Sequence, residues 1–127
     1  MTKQEIFNKV AKHLLKQNKQ ARDEVRDNCC LKDVDGNKCA LGCLIPAKLY
    51  HPDMEYGSMV VDFFLAYSIP GIAKTTANLA LLKDLQYVHD DIKVSEWYNQ
   101  LQKVANEHKL KFPYATKFVG KTAKKKK

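Results

Sequence analysis

The chemistry available to this chain is concentrated in a few side chains. His89 and Asp90 are adjacent, and an imidazole beside a carboxylate can serve as a general base. Cys39 or Cys43 could pair with His89 as thiol and imidazole if the fold brought them together. Near the end of a helix, however, a histidine is also favoured by the helix dipole, and no nucleophile or oxyanion donor stands beside this one in sequence. The structural reading of His89-Asp90 therefore carries more weight. No phosphate-cradling glycine loop, nucleophile elbow or paired-histidine metal helix is present. No residue is assigned a catalytic role, and no cofactor is expected.

Four cysteines, at 29, 30, 39 and 43, raise the question of zinc. Structural zinc is usually held by two tight knuckles of the C-x(2–4)-C kind. Only Cys39 and Cys43 have that spacing, and two adjacent cysteines do not easily reach one tetrahedral ion. His51 is the available fourth ligand. The competing reading treats reduced cysteines as small apolar core residues, with Cys39, Leu41, Cys43 and Ile45 along one face of a strand. That reading is adopted, and no metal is expected. Asp33, Asp35 and Asn37 resemble the start of a calcium loop. Gly36 falls two positions early and no glutamate closes the loop, so a solvated turn is the expectation.

The remaining chemistry is charge. The chain has 127 residues with 22 Lys and Arg against 14 Asp and Glu, a net +8. Lys111, Lys117, Lys121, Lys124, Lys125, Lys126 and Lys127 supply +7 of it from residues 111–127, where no acid occurs. Residues 1–22 are also basic, at +5, whereas residues 23–110 net −4. Two basic ends flanking a mildly acidic middle suit phosphate neutralisation with counterion release, although charge runs also serve solubility. Lys9, Lys12 and Lys16 on the first helix, with the seven tail lysines, are the candidate nucleic-acid contacts. Phe112, Tyr114 and Phe118 among the tail lysines offer stacking surface.

Several elements must position these groups. Thr2 and Glu5 form a T-x-x-E capping box, so a helix should start near Lys3. Its stripe is Ile6, Phe7, Val10, Ala11, Leu14 and Leu15, with the lysines mainly outside. Residues 20–28 read as loop. Asp35-Gly36 between short apolar runs predicts a hairpin near 29–44. Pro46 to Tyr50 reads as a short helical turn. Ser58 is placed as the cap of a helix from Met59 to about Tyr67, ended by Ile69-Pro70-Gly71. A helix from about Thr75 to His89 shows Leu79, Leu82, Leu85, Gln86 and His89 on one side. Ser95 is read as the cap of the last helix, with Trp97, Leu101, Val104, Ala105 and His108 on one face. The expected fold is mainly α: one domain over residues 1–110, about four helices and a short hairpin, followed by a basic tail over 111–127. No secretory signal is visible, and the run from Met59 to Ala66, broken by Asp62, is too short for a bilayer. A cytoplasmic location, reduced thiols and no membrane association are expected.

The stretch Cys30 to Tyr50 resembles a group of small bacterial and phage proteins of undetermined role. The residues that carry it are Cys30, Asp35-Gly36, Lys38-Cys39-Ala40, Gly42, Leu44-Ile45-Pro46 and Tyr50, followed by Met54-Glu55. Leu85-Gln86, His89-Asp90, Trp97, Leu101, Val104 and Ala105 fit the same pattern, which spans residues 30–105. Members often carry Tyr-Arg after the first cysteine, where this chain has Leu31-Lys32, and the lysine tail lies outside the pattern. The resemblance implies a phage or mobile-element accessory protein, located in the host cytoplasm, and supplies no mechanism. Two functions follow as expectations. The first is non-enzymatic binding of nucleic acid or a nucleoprotein machine through the basic ends. The alternative is a protein-directed inhibitor or adaptor, a host-takeover or anti-defence factor, acting on a host protein through Tyr50, Met54 and Tyr56.

Overall fold

In the computed structural model, which describes residues 1–56 and 60–113, the chain is mainly α, with four helices and one two-stranded hairpin. Helix α1 spans Lys3–Gln17 and opens on the anticipated capping box: Thr2 Oγ1 accepts from the Glu5 amide and Glu5 Oε1 accepts from the Thr2 amide. Asn18, in the left-handed conformation at φ 56°, ends the helix and bonds Leu14 O. Ile6, Phe7, Val10, Ala11 and Leu14 are fully buried. Each of the larger side chains contributes about 1.5–3 kcal/mol on leaving water.

Helix α2 (Val60–Ala66) buries Val60, Phe63 and Phe64. Helix α3 (Thr76–Asp91) is capped by Thr75 and packs against α1, α2 and α4. Its buried set is Asn78, Leu81, Leu82, Leu85, Val88 and His89. The expected stripe through Leu79 and Gln86 is therefore rotated, because an element touched by three helices buries a wider arc. Leu79 and Gln86 are half-buried. Helix α4 (Trp97–Glu107) buries Trp97, Tyr98, Leu101, Val104 and Ala105. Ser95 is not its cap: it lies in a 3₁₀ turn over Val94–Glu96, and Glu96 precedes α4 without a side-chain cap bond. The Trp97 indole fixes this corner by donating to Ile92 O at 2.9 Å.

The hairpin lies elsewhere than expected. Strands β1 (Arg22–Asp23) and β2 (Asn28–Cys29) pair antiparallel, all but Cys29 inside the stretch read as loop. Local polar bonds, which carry no hydrophobic period, make this turn. Asp23 Oδ1 accepts from the Val25 and Arg26 amides, Arg22 pairs with Asp27 at 2.9 Å, and Asp27 takes φ 56°. In the predicted hairpin over 29–44 only one bridge forms, Lys32 with Lys38. Beyond it, Cys43 bonds Cys39 O, Leu44 bonds Leu41 O and Ile45 bonds Gly42 O, so residues 39–45 wind as helical turns. Cys39, Leu41 and Ile45 are buried as expected, but not by strand alternation.

Gly42 is the reason. A Cβ there would lie 2.1 Å from Leu31 O, so only glycine lets the turn approach the Leu31 backbone. The Asp-Gly turn itself is built on Asp33. Its carboxylate accepts from the Asp35 and Asn37 amides, the Asn37 side chain and the Arg22 amide. Four N–H donors around one carboxylate make an anion's setting and not a cation site. Gly36 completes the turn at φ 87°.

The expected tail boundary at 111 also moves. Lys111 exchanges two hydrogen bonds with the Gln4 side chain, at 2.9 and 3.0 Å. Phe112 packs edge-on against Phe7 and Tyr98, with ring centroids at 6.1 and 5.2 Å. These two residues belong to the body. Lys117, Lys121, Lys124, Lys125, Lys126 and Lys127, with Tyr114 and Phe118, lie outside the described residues, as do Ser58 and Met59. No helix among the described residues is long and apolar enough to cross a membrane.

Candidate functional site

Two regions concentrate chemistry, a cleft at the end of α3 and the outer face of α1. The cleft has a volume of ≈ 400 Å³ and is walled by the hairpin, the Cys30–Leu31 segment, Cys39, Glu55 and the last turn of α3. The fold places Cys29, and not Cys39 or Cys43, with His89 and Asp90: one ligand-type atom from each lies within 4.8 Å of the others. The sequence holds no signal for this, because the pairing depends on the hairpin bringing residue 29 across to α3.

The geometry decides what this trio can do. His89 is completely buried. Its Nε2 accepts from the Ala21 amide at 2.9 Å, which leaves the ring proton on Nδ1, donated to Asp90 Oδ1 at 2.6 Å. Asp90 Oδ1 also accepts from the Gln86 amide nitrogen. Gln20 spans the same joint by donating to the His89 and Asp90 carbonyls. The imidazole stacks on Trp97 with centroids 5.7 Å apart. His89 therefore fastens the segment after α1 to the end of α3, and neither ring nitrogen is open to a substrate. A metal here would need Nδ1 stripped of its proton while Nε2 keeps its own hydrogen bond. That leaves Cys29 and Asp90, too few ligands for a zinc site.

Glu55, which lines the same cleft, is also matched. Glu55 accepts from the Leu31 and Lys32 amides and from the Tyr50 hydroxyl, the last at 2.6 Å. Among the described residues no buried side-chain nitrogen or oxygen lacks a partner.

The thiols are held protonated. Burial, reinforced by Asp90, pushes Cys29 up to about 11. Burial and Glu55 push Cys30 up to about 12, and burial raises Cys39 further. Burial takes Cys43 to about 12 against the opposing pull of Lys9 and Lys38. The thiolate is the reactive form, and a raised pKa withholds it below that pKa. In the native protein at pH 7.5, a disulfide reagent is expected to label these cysteines at least ~100-fold more slowly than a free cysteine of ordinary pKa. All four should react at the ordinary rate in denaturant. One thiol reacting in the native state at the free-cysteine rate would show that a thiolate is available after all.

The outer face of α1 is the second region. Lys9, Lys12 and Lys16 are exposed and fall within about 60° of one another around the helix. Among the described residues none of them pairs with a carboxylate. Lys38 is a fourth member that pattern reading misses. The Gln17 side chain grips both its N–H and its carbonyl, at 2.8 and 2.9 Å, and His13 Nε2 donates to the same carbonyl at 2.8 Å. Lys9 and Lys38 both act on the Cys43 thiol, lowering its pKa against the larger effect of burial.

The candidate anchors for a protein partner fare differently. Met54 is 8% exposed and packs in the core, so it presents no surface. Tyr50 is half-buried, committed through its hydroxyl to Glu55, with Lys32 over its ring at 5.2 Å. The Tyr56 side chain lies outside the described residues. Comparison with known proteins finds no matching family, no matching curated protein and no matching solved structure.

Proposed function

We propose that this chain is a non-enzymatic accessory protein that binds nucleic acid, or a nucleoprotein machine, through its basic ends. The observation that carries the reading is the docking of Lys111 and Phe112 on α1 and α4. It starts the tail sequence beside the helix that bears Lys9, Lys12 and Lys16. The tail sequence thus starts from a residue bonded to α1, and charges that act on one polyanion together are worth more than the same charges scattered. The phage or mobile-element setting rests on the resemblance carried by residues within 30–105, and the cytoplasmic location on the sequence reading. The alternative, an inhibitor or adaptor gripping a host protein, has Tyr50 and Tyr56 left to it, since Met54 is core.

Truncation after Pro113 removes Lys117, Lys121, Lys124, Lys125, Lys126 and Lys127 and leaves the Phe112 anchor in place. The full chain is expected to bind short DNA and RNA oligonucleotides at about 50 mM salt, with affinity falling steeply by about 200 mM. The truncated chain should bind at least ~10-fold more weakly and with a shallower salt dependence. Fluorescence anisotropy measures both. No binding at low salt, or equal binding by the two chains, overturns the proposal. A single host protein recovered from lysate after nuclease treatment would support the alternative.

A further inference from the structure

We infer that the face formed by Lys9, Lys12, Lys16 and Lys38 takes the phosphate backbone of a double-stranded nucleic acid and does not read or stack on bases. This deepens the proposed function and rests on it.

Three observations lead there. First, the face is built. Lys38 comes from a loop, but its backbone is locked to α1 by two hydrogen bonds with Gln17 and one with His13. Its charge, like that of Lys9, acts on the Cys43 thiol. The helical row from Lys9 to Lys16 is about 10 Å long at 1.5 Å per residue. The backbone beneath these charges is already ordered, so binding a polyanion costs side-chain freedom alone.

Second, among the described residues the face has no stacking surface. Single strands are held by aromatic platforms as well as charge, each base stack being worth about 1–3 kcal/mol. Among the described Phe, Tyr and Trp side chains the exposed one is Tyr87, at 51%. It belongs to α3, in a groove with Asp84, Asp90 and Asp91 against Lys83, a net negative setting that disfavours a polyanion. Phe112, the first of the tail aromatics, is spent on Phe7 and Tyr98.

Third, charge density then decides between strands. A duplex carries one charge per about 1.7 Å of axis and a single strand about half that density. A row of lysines on an ordered backbone, with no stacking surface beside it among the described residues, gains more from the denser lattice. The polar groups that hold the row, the Gln17 side chain and the Lys38 backbone, are spent on each other and offer no base-edge code.

The test uses the full chain and three labelled probes: a 20-base-pair DNA duplex, a 20-base-pair RNA duplex and a 20-nucleotide oligothymidylate. Anisotropy is measured across salt for the native chain and for a variant with Lys9→Gln, Lys12→Gln, Lys16→Gln and Lys38→Gln. Circular dichroism and thermal melting confirm that the variant folds. Expected is tighter binding of one or both duplexes than of oligothymidylate. The variant should bind duplex at least ~10-fold more weakly, and its salt slope should shrink by about 0.9 for each phosphate it no longer neutralises. The two duplex arms separate DNA from RNA. Oligothymidylate binding as tightly as the duplexes, or a folded variant with an unchanged duplex slope, overturns this inference while nucleic-acid binding stands. No binding of any probe by the native chain at low salt overturns the proposed function, and this inference with it.

Discussion

Replacing His89 by alanine is expected to destabilise the fold by about 3–5 kcal/mol, a large part of the roughly 5–15 kcal/mol that holds a domain of this size. The ring is completely buried and bonded at both nitrogens. Its removal strands the buried Ala21 N–H, takes the proton donor from Asp90 and opens a cavity against Trp97. Urea denaturation monitored by Trp97 fluorescence measures the change. Asp90→Asn should cost less, because the Gln86 and His89 hydrogen bonds can be partly rebuilt on an amide oxygen. A His89→Ala variant within about 1 kcal/mol of the native chain would contradict the structural role. If the nucleic-acid reading holds and this variant is folded at low temperature, its binding there should match the native chain, since the α1 face is untouched.

Substituting Gly42 by alanine is expected to cost about 3 kcal/mol or more, above what a one-carbon change usually does. The added methyl would meet the Leu31 carbonyl at 2.1 Å, and backbone cannot rotate away as a side chain can. Relief requires prising the 39–45 turns off the Leu31 segment, which also disturbs Cys39, Leu41 and Ile45 in the core. The turn at Gly36 offers a control. Its φ of 87° makes alanine unfavourable there, but nothing lies within 4 Å of the added carbon. Gly36→Ala should therefore cost about 1–2 kcal/mol. Thermal melts of the two variants should rank Gly42→Ala clearly below Gly36→Ala. The reverse order would mean that the Leu31 contact can relax at little cost. The segment Lys38 to Pro46 thereby has a physical rationale in the glycine that lets two backbones touch.

The helices are legible because their signals are local. The Thr2/Glu5 box and the stripe from Ile6 to Leu14 appear as read, as do the start of α3 near Thr75 and the face from Trp97 to Ala105. The hairpin is not legible. Arg22 to Cys29 is held by Asp23 and Asp27, whose polar bonds leave no apolar period to detect. Cys39 to Ile45 alternates like a strand, yet winds as turns because Leu31 must sit over Gly42. Met54 reads as a surface anchor because methionine suits both interfaces and cores, and composition does not distinguish them.

The helical class, the capping box on α1, the separation of charge between the ends and the middle, and the pairing of His89 with Asp90 are all written in the chain itself. Each depends on neighbours close in sequence. The packed fold is what sets Cys29 against His89, puts the Ala21 amide on its second nitrogen, joins Lys38 to the α1 lysines and carries Phe112 back to α1. These contacts join residues 21 to 107 positions apart. No spacing rule encodes such pairs; they arise when separate amphipathic helices bury their stripes against one another and bring distant polar groups into register.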